Sequence, residues 1–335
     1  MNPKISVITT VLNCDNYISK SIESIAGQTF RDFEYIIIND GSSDNTSKII
    51  HTFSQKDSRL IIIDNEKNLG RVKSLNLALG MASGKYIAIQ DADDISLPER
   101  LKTQYLFLEK NHDHVLVGAD VTVIDEKGSE MSSPLRPEKN LEAKFSLLFR
   151  CTFANPSIMF RKAVLDKHNI QYEEDFEHSE DFRIISLISV HGKVHNLTDR
   201  LVKYRKHESN NSRVNSNVLN ETSTQIVKDN LAAMGFKVNF DQAGRLRKLI
   251  SSRGINKKFL YEDVKLLFKI IKEFQKKNSS KGNREVLNSL RRMSGWLGKK
   301  NIVSRPEYLR LYISILTYYY KDSIFDRKKS ETFKS

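Results

Sequence analysis

The chain reads as an α/β protein: an open, mostly parallel sheet with helices on both faces, followed by a helical C-terminal region. Three observations predict this. Short, nearly continuous Ile and Val runs recur through the first hundred residues, each followed by a helical pattern, as in parallel sheets buried on both faces. Polar turn residues gather where those runs end. The charge then changes sign: residues 1–200 carry 24 Lys and Arg against 29 Asp and Glu, and residues 201–335 carry 30 against 12. The net charge of +13 therefore resides in the second part. The expected division is 1–214 and 215–335, with the basic part facing an anionic surface or ligand.

The elements follow in order. "ISVITTV" is a β-branched strand. "DNYISKSIESIAGQ" places Tyr17, Ile18, Ile22 and Ile25 at helical spacing. "FEYIIIND" is a second strand, ending at the turn Asp40–Gly41–Ser42. "DNTSKIIHTFSQK" is a helix with Asp44 as its N-cap. "RLIIIDN" is a third strand, "RVKSLNLALGMA" a helix and "YIAIQ" a fourth strand. Then "ERLKTQYLFLEKN" reads as helix and "HVLVGADVTVID" as strand. Beyond about 215 only helical patterns remain. "LYEDVKLLFKIIKEFQKKN" sets Leu260, Val264, Leu267, Phe268, Ile271 and Phe274 on one stripe, and "NREVLNSLRRMSGWLG" repeats the idea.

A composition of 39% hydrophobic and 28% charged residues excludes a disordered chain. Cys14 and Cys151 lie too far apart in sequence to suggest a disulfide framework or a zinc knuckle. The N-terminus enters a strand pattern without a signal-peptide core, and no stretch approaches the roughly 20 apolar residues of a membrane span. A cytoplasmic location is the expectation.

The chemistry concentrates at the strand ends. After "YIAIQ" come Asp91, Asp93 and Asp94, three carboxylates in four positions. Like charges this close raise each other's pKa. An isolated acidic turn is commonly just solvated. At the carboxyl edge of an open α/β sheet, where ligands bind, the same turn suits a divalent cation held by one or two carboxylates and substrate phosphates. Asn13, Asp40 and Asn65–Asn68 converge on the same edge.

"SVITTVLNCDNYISKSIESIAGQTFRDFEYIIINDGSSDNT" and "NLGRVKSLNLALGMASGKYIAIQDADDISLPERL", then "NPSIMFRKAVL", "SEDFRI" and "LVKYRKHESNNS", resemble bacterial family 2 glycosyltransferases with a GT-A fold, over residues 3–213. The resemblance implies an inverting enzyme using a nucleoside-diphosphate sugar, Mn²⁺ or Mg²⁺, and an acidic base. By position, Thr10 and Asp40 would contact the nucleobase, supported by Asn13, with Asp91 against the ribose. Asp93 would bind the metal, His207 would complete the metal or diphosphate site, and Asp181 would be the general base. Against these stand solvated acids in the run "EEDFEHSED" and a structural role for a lone His.

Three positions depart from the family pattern: Leu12–Asn13 for Tyr-Asn, Asn39–Asp40 for Asp-Asp, and Leu75–Asn76 for Arg-Asn. Where the family's diphosphate arginine is missing, Arg71 or Lys73 on the same helix is the candidate cation, and Lys73 is assigned to the nucleotide site. The resemblance implies UDP first among nucleotides, with GDP or dTDP as options. It also implies a glycan acceptor, such as a polyprenyl-diphosphate-linked oligosaccharide in surface polysaccharide synthesis.

The last segment, "PEYLRLYISILTYYYKDSIFDRKK", is apolar almost all round between basic flanks. It suits a helix lying on the cytoplasmic face of the inner membrane, or one packed on the catalytic domain. No nucleic-acid module is present, so no nucleic-acid partner is expected. A nucleotidyltransferase would need a Gly- and Lys-rich phosphate loop near the first strand, which "TTVLNCDNY" lacks. A non-catalytic sugar-nucleotide or glycan-binding protein is the reading from outside the enzymes.

Overall fold

The computed structural model describes residues 2–132, 139–208, 215–251 and 261–278, with a few isolated positions beyond them. The described residues fall into two units. One comprises those up to Lys139 together with Cys151–Ser223, and the other Asn140–Arg150 with those from Thr224 onward. Leu260, the "NREVLNSLRRMSGWLG" pattern and all but isolated positions of the aromatic tail lie outside the described residues.

The first unit is built on a sheet whose opening half follows the Ile and Val runs. β1 (Ile5–Val11), β2 (Phe33–Asn39), β3 (Leu60–Asp64) and β4 (Tyr86–Ile89) pair in parallel, in the order β3–β2–β1–β4. Every residue of β1 and β4 is buried. Helices α1 (Ile18–Ala26), α2 (Thr46–Ser54) and α3 (Arg71–Met81) make the crossovers. Ile18, Ile22 and Ile25 of α1 and Leu101 and Leu108 of α4 (Arg100–Lys110) join Val7, Tyr35, Ile37 and Tyr86 in one core. Ile8, Ile36, Ile38 and Ile87 point the other way and are equally buried. α3 packs on β1 and β2 and buries Val72, Leu75 and Ala78. The N-cap of α2 is Asn45, without a side-chain cap bond, rather than Asp44, which sits one residue earlier and accepts the N–H of Thr46 at 2.9 Å.

Beyond β4 the order continues β8–β6–β9–β5, with β7 pairing β6. These are β5 (Ile95–Ser96), β6 (His114–Ile124), β7 (Glu130–Met131), β8 (Met159–Arg161) and β9 (Lys193–Arg205). β8 runs antiparallel to both β4 and β6, which the sequence reading did not anticipate. A three-residue strand carries no periodicity to read. α6 (Lys162–His168) and α7 (Glu180–Ser189) connect β8 to β9.

The second unit holds α5 (Asn140–Leu147), α9 (Phe240–Ser251), α10 (Tyr261–Asn278) and the later part of α8 (Ser216–Ala233). Val264, Leu267, Phe268, Ile271 and Phe274 are buried along α10, so five of the six stripe positions lie inside as the 3.6-residue period demands. Phe145 and Phe274 meet edge to face at 5.2 Å. Buried Asp263 pairs with Arg245 at 2.7 Å. Among the described residues no helix is long and apolar enough to cross a membrane.

Gly41, at the exit of β2, has φ +76, and a Cβ there would lie 2.7 Å from the carbonyl carbon of Lys67. Only glycine allows both the left-handed backbone and this approach of the 65–70 loop. Gly41→Ala is expected to destabilise the protein by about 1–3 kcal/mol, seen as a lower urea midpoint at unchanged m-value. An unshifted midpoint would mean the loop retreats at no cost.

Candidate active site

Four loops at the carboxyl ends of β1, β2, β3 and β4 form the site, and polar side chains tie them together. Asn13, just past β1, has φ 49, a left-handed conformation that asparagine tolerates. Its N–H donates to Ser42 Oγ at 3.0 Å, and its Oδ1 accepts the N–H of Ser43 at 2.8 Å. Thr10, mostly buried, pairs in register with Ile38. Asp40 is 4% exposed and accepts three hydrogen bonds: Asn65 Nδ2 at 2.8 Å, Leu69 N–H at 2.9 Å and Gly70 N–H at 3.0 Å. That one carboxylate shapes the loop leading into α3.

Asn39, where the family pattern has an acid, donates through Nδ2 to Asp64 Oδ1 at 2.6 Å across the β2–β3 register. His51 Nε2 lies 2.7 Å from the other Asp64 oxygen. Burial works against the Asp64 charge, but the bonds from Asn39 and His51 hold its carboxyl below the ordinary value. An aspartate at 39 would set two carboxylates face to face. The departure is therefore local charge accounting between residues 39 and 64.

The acidic loop after β4 is tolerated because each carboxylate has its own partner. Asp91 Oδ1 receives Arg71 Nη2 at 2.6 Å and Asn155 Nδ2 at 3.0 Å. Asp93 Oδ2 lies 2.8 Å from His207 Nε2. Asp94, 1% exposed, accepts the N–H of Arg205 at 2.6 Å, and its Oδ2 has no hydrogen-bond partner among the described residues. Burial, then Asp93 and Asp91, push the Asp94 carboxyl well above its usual value. Beneath the loop, fully buried Arg100 donates to Gln90 Oε1 at 2.9 Å, Ser96 Oγ at 2.9 Å and the Ile89 carbonyl at 2.7 Å. Desolvation lowers its pKa to about 10, opposed by the charges of Asp91 and Asp94. Gln90 binds the loop from within, donating to the carbonyls of Asp91 at 3.1 Å and Asp94 at 2.9 Å.

Asp181 lies on the first turn of α7, beside Glu180. Burial, and then the Glu180 charge, push its carboxyl up to about 7. Arg71 Nε is 2.7 Å from Glu180 Oε1, so this guanidinium joins the donor-side loop to α7. Lys73, assigned from sequence to the nucleotide, makes a solvent-exposed pair with Glu174 at 3.4 Å. Of the two candidate cations on α3, Arg71 is the one against Asp91.

His207 stacks on Tyr17, with ring centroids 5.1 Å apart, and Arg205 lies 4.9 Å over the same tyrosine. The aromatic ring sets the imidazole toward Asp93. Among the described residues no three His, Cys, Asp or Glu side chains group as a preformed metal site. Two donors, Asp93 and His207, fit a hard divalent ion that fills its remaining positions with phosphate oxygens and water. The structure brings together Asp91, Asp93, Asp94 and His207, and joins Asp181 to them through Glu180 and Arg71. Sequence reasoning gave no role to Asn155, Glu180, Arg205 or Arg100. Arg100 was detectable as a charge on the otherwise inward helical face of Leu101 and Leu108.

A crossover sheet with acidic and polar side chains at its carboxyl edge has the architecture of an open α/β protein, in which ligands bind at that edge. The family model "Glycosyl transferase family 2" matches residues 6–168. An uncharacterized glycosyltransferase of Haemophilus influenzae is 35% identical over 250 residues, covering 71% of this chain and 76% of that protein. The O-antigen biosynthesis glycosyltransferase WbnJ of Escherichia coli is 35% identical over 208 residues, covering 61% and 80%. Among solved structures, S. aureus TarS 1–349 in complex with UDP-GlcNAc superposes with a TM-score of 0.61 at 20% identity, over 97% of this chain and 92% of that one. The chain belongs to the family 2 glycosyltransferases, and its fold is GT-A.

Asp40→Asn would turn one acceptor into a donor facing the amide of Leu69 or Gly70. A loss of about 1–3 kcal/mol is expected, with faster hydrogen exchange at residues 65–70. Unchanged stability and exchange would show that the loop does not depend on this carboxylate.

Proposed function

We propose that the protein is an inverting, metal-dependent hexosyltransferase. It would move a sugar from a nucleoside-diphosphate donor, with UDP first and GDP or dTDP as options, to a glycan hydroxyl, forming a β-linkage. The observation that carries this reading is the pairing of an acidic donor loop with Asp181, a carboxyl raised to about 7 and joined to that loop through Arg71. A general base works best with a pKa near the operating pH. Support for the donor comes from TarS, described with UDP-GlcNAc and with UDP. A mannosyltransferase of Pyrobaculum calidifontis described with GDP-Man and Mn²⁺ has the same fold at a TM-score of 0.52 and 14% identity, over 97% of this chain and 88% of that one.

In this reading Thr10, Asn13 and Asp40 form the nucleobase side and Asp91 the ribose side. Asp93 and His207 would hold Mn²⁺ or Mg²⁺. The ion, when bound, would stabilise the negative charge that gathers on the leaving diphosphate. Lys73, at the exposed edge of α3, or Arg71 would meet the diphosphate. Asp181 takes the proton from the acceptor hydroxyl, whose oxygen then attacks the anomeric carbon from the face opposite the diphosphate. That backside displacement inverts the anomeric centre.

The acceptor reading is a polyprenyl-diphosphate-linked oligosaccharide of surface polysaccharide synthesis. WbnJ's role in O-antigen biosynthesis and the basic residues 201–335 support it. The same residues would bring the enzyme to the cytoplasmic face of the inner membrane. In this reading residues 1–214 are the catalytic domain and 215–335 the acceptor- or membrane-facing region.

Calorimetry with UDP, GDP and dTDP, each with and without Mn²⁺, tests the donor site. Metal-dependent binding of one nucleotide is expected, lost in Asp93→Ala and kept in Asp181→Ala. Both variants should lose sugar transfer, Asp181→Ala by about 10²–10⁴-fold, the usual worth of a general base. Normal turnover by Asp181→Ala would remove it from the base role.

A further inference from the structure

Glu180 and Asp181 are neighbours on one turn of α7, yet the structure treats them differently. Glu180 is buried, with Oε1 2.7 Å from Arg71 Nε. Asp181 is half-buried, and Oδ1 accepts the N–H of Phe182 at 2.6 Å. Among the described residues Asp181 forms no ion pair. Arg71 uses its other edge, Nη2, to grip Asp91 at 2.6 Å. A guanidinium can hold two carboxylates at once in fixed directions, which an ammonium cannot do.

The backbone leading into α7 is fastened to the same helix. Asn76 Nδ2 donates to the Tyr172 carbonyl at 2.8 Å, and the Tyr172 N–H donates to Asn76 Oδ1 at 2.9 Å. The Tyr172 hydroxyl is buried without a hydrogen-bond partner among the described residues, as is Glu180 Oε2. The titratable and charged groups acting on Asp181 are therefore Glu180 on its own helix, Arg71 on α3 and Asp91 after β4. Asp181 in turn acts on Tyr172 before α7 and on Tyr204 on β9.

We propose that Arg71 is the positioning residue that divides the labour between these two carboxylates: it ties Glu180 to the acidic loop after β4 and leaves Asp181 as the one that exchanges a proton with the acceptor. Two adjacent buried carboxyls would otherwise share one proton and titrate as a pair. Burial, and then the Glu180 charge, raise the Asp181 carboxyl, so the proton settles on Asp181. The acceptor O–H proton goes to an Asp181 carboxylate oxygen, and the oxygen's electron pair forms the bond to the anomeric carbon. The pair of the broken anomeric C–O bond leaves with the nucleoside diphosphate. Because Arg71 also holds Asp91, base and donor loop keep one spacing.

This inference rests on the reading of Asp181 as base, and its test separates the two. Carboxyl ¹³C NMR titrations of the full chain, with labelled Asp and Glu, are compared for wild type, Arg71→Met, Arg71→Lys and Glu180→Gln. Asp181→Asn and Glu180→Gln assign the signals. In wild type Asp181 is expected to titrate near neutrality, in a step separate from Glu180. Arg71→Met should make both carboxyls titrate together, and Arg71→Lys should do so in part. Glu180→Gln should lower the Asp181 midpoint, because the neighbouring anion is gone.

In parallel, UDP release from UDP-GlcNAc with Mg²⁺ should fall about 10²-fold in kcat for Arg71→Met, with its acid limb moved to higher pH. Glu180 titrating together with Asp181 in wild type, or an Asp181 curve unmoved in Arg71→Met, would overturn the proposal. If Arg71→Met does not fold, the Arg71→Lys and Glu180→Gln titrations decide. Absence of wild-type turnover with every nucleotide-sugar tried would count against the transferase reading alone, since the titrations need no substrate.

Discussion

The site depends on one constraint: three carboxyl groups on the loop after β4 must each be given a separate partner, from different directions. Arg71 takes Asp91 and His207 takes Asp93. The backbone amide of Arg205 takes Asp94, and Arg100 lies beneath the loop. These partners are contributed by α3, by α4 and by the end of β9 and the residues just past it. Opposite unit charges 4 Å apart are worth about 1 kcal/mol in water and about 4 kcal/mol at an effective dielectric of 20. Such pairs therefore hold the segments only where they exclude solvent, and Arg71 and Asp91 are both largely shielded. The loop fixes the positions of its cations as much as they fix the loop.

A second knot lies at the end of β2, where Asp40 gathers Asn65, Leu69 and Gly70. The neighbouring Asn39–Asp64 bond shows how far such arrangements are interchangeable. At this strand end an amide at 39 lies opposite the acid at 64, where an aspartate at 39 would face it with a like charge. Asp40 has no such latitude, because two backbone amides and a side-chain amide converge on it and only a carboxylate satisfies all three without repulsion.

The parallel half of the fold was legible because its strands are buried on both faces and so carry uninterrupted Ile and Val. In the other half, where β6 and β9 pair in parallel and β8 and β5 are antiparallel to their neighbours, only the long β6 was legible. β5 and β7 are two residues long and β8 three, below the length at which a period of two can be recognised. The grouping of Asn140–Arg150 with residues after Thr224 depends on contacts distant in sequence, which composition and local pattern do not encode. At the site, the strand-end acids were legible because residue type and position agree. The division between Arg71 and Lys73 was not: two positions apart on one helix, one faces inward against Asp91 and the other outward to Glu174, and a helix exposed on one side places basic residues on either.

α3 emerges as the element common to both sides of the reaction centre. Its N-terminal approach is set by Asp40, its first residue holds Asp91 and Glu180, and Asn76 one turn further on clamps the chain entering α7. Val72, Leu75 and Ala78 anchor it to the sheet, so these polar contacts radiate from a fixed axis rather than from a loop. A displacement of the nucleotide side must move α3 or break a buried ion pair. Either course carries the acid-bearing turn of α7 with it or releases it. In the proposed mechanism, the spacing between leaving group and base, on which in-line displacement depends, would thereby be maintained by one helix and one guanidinium.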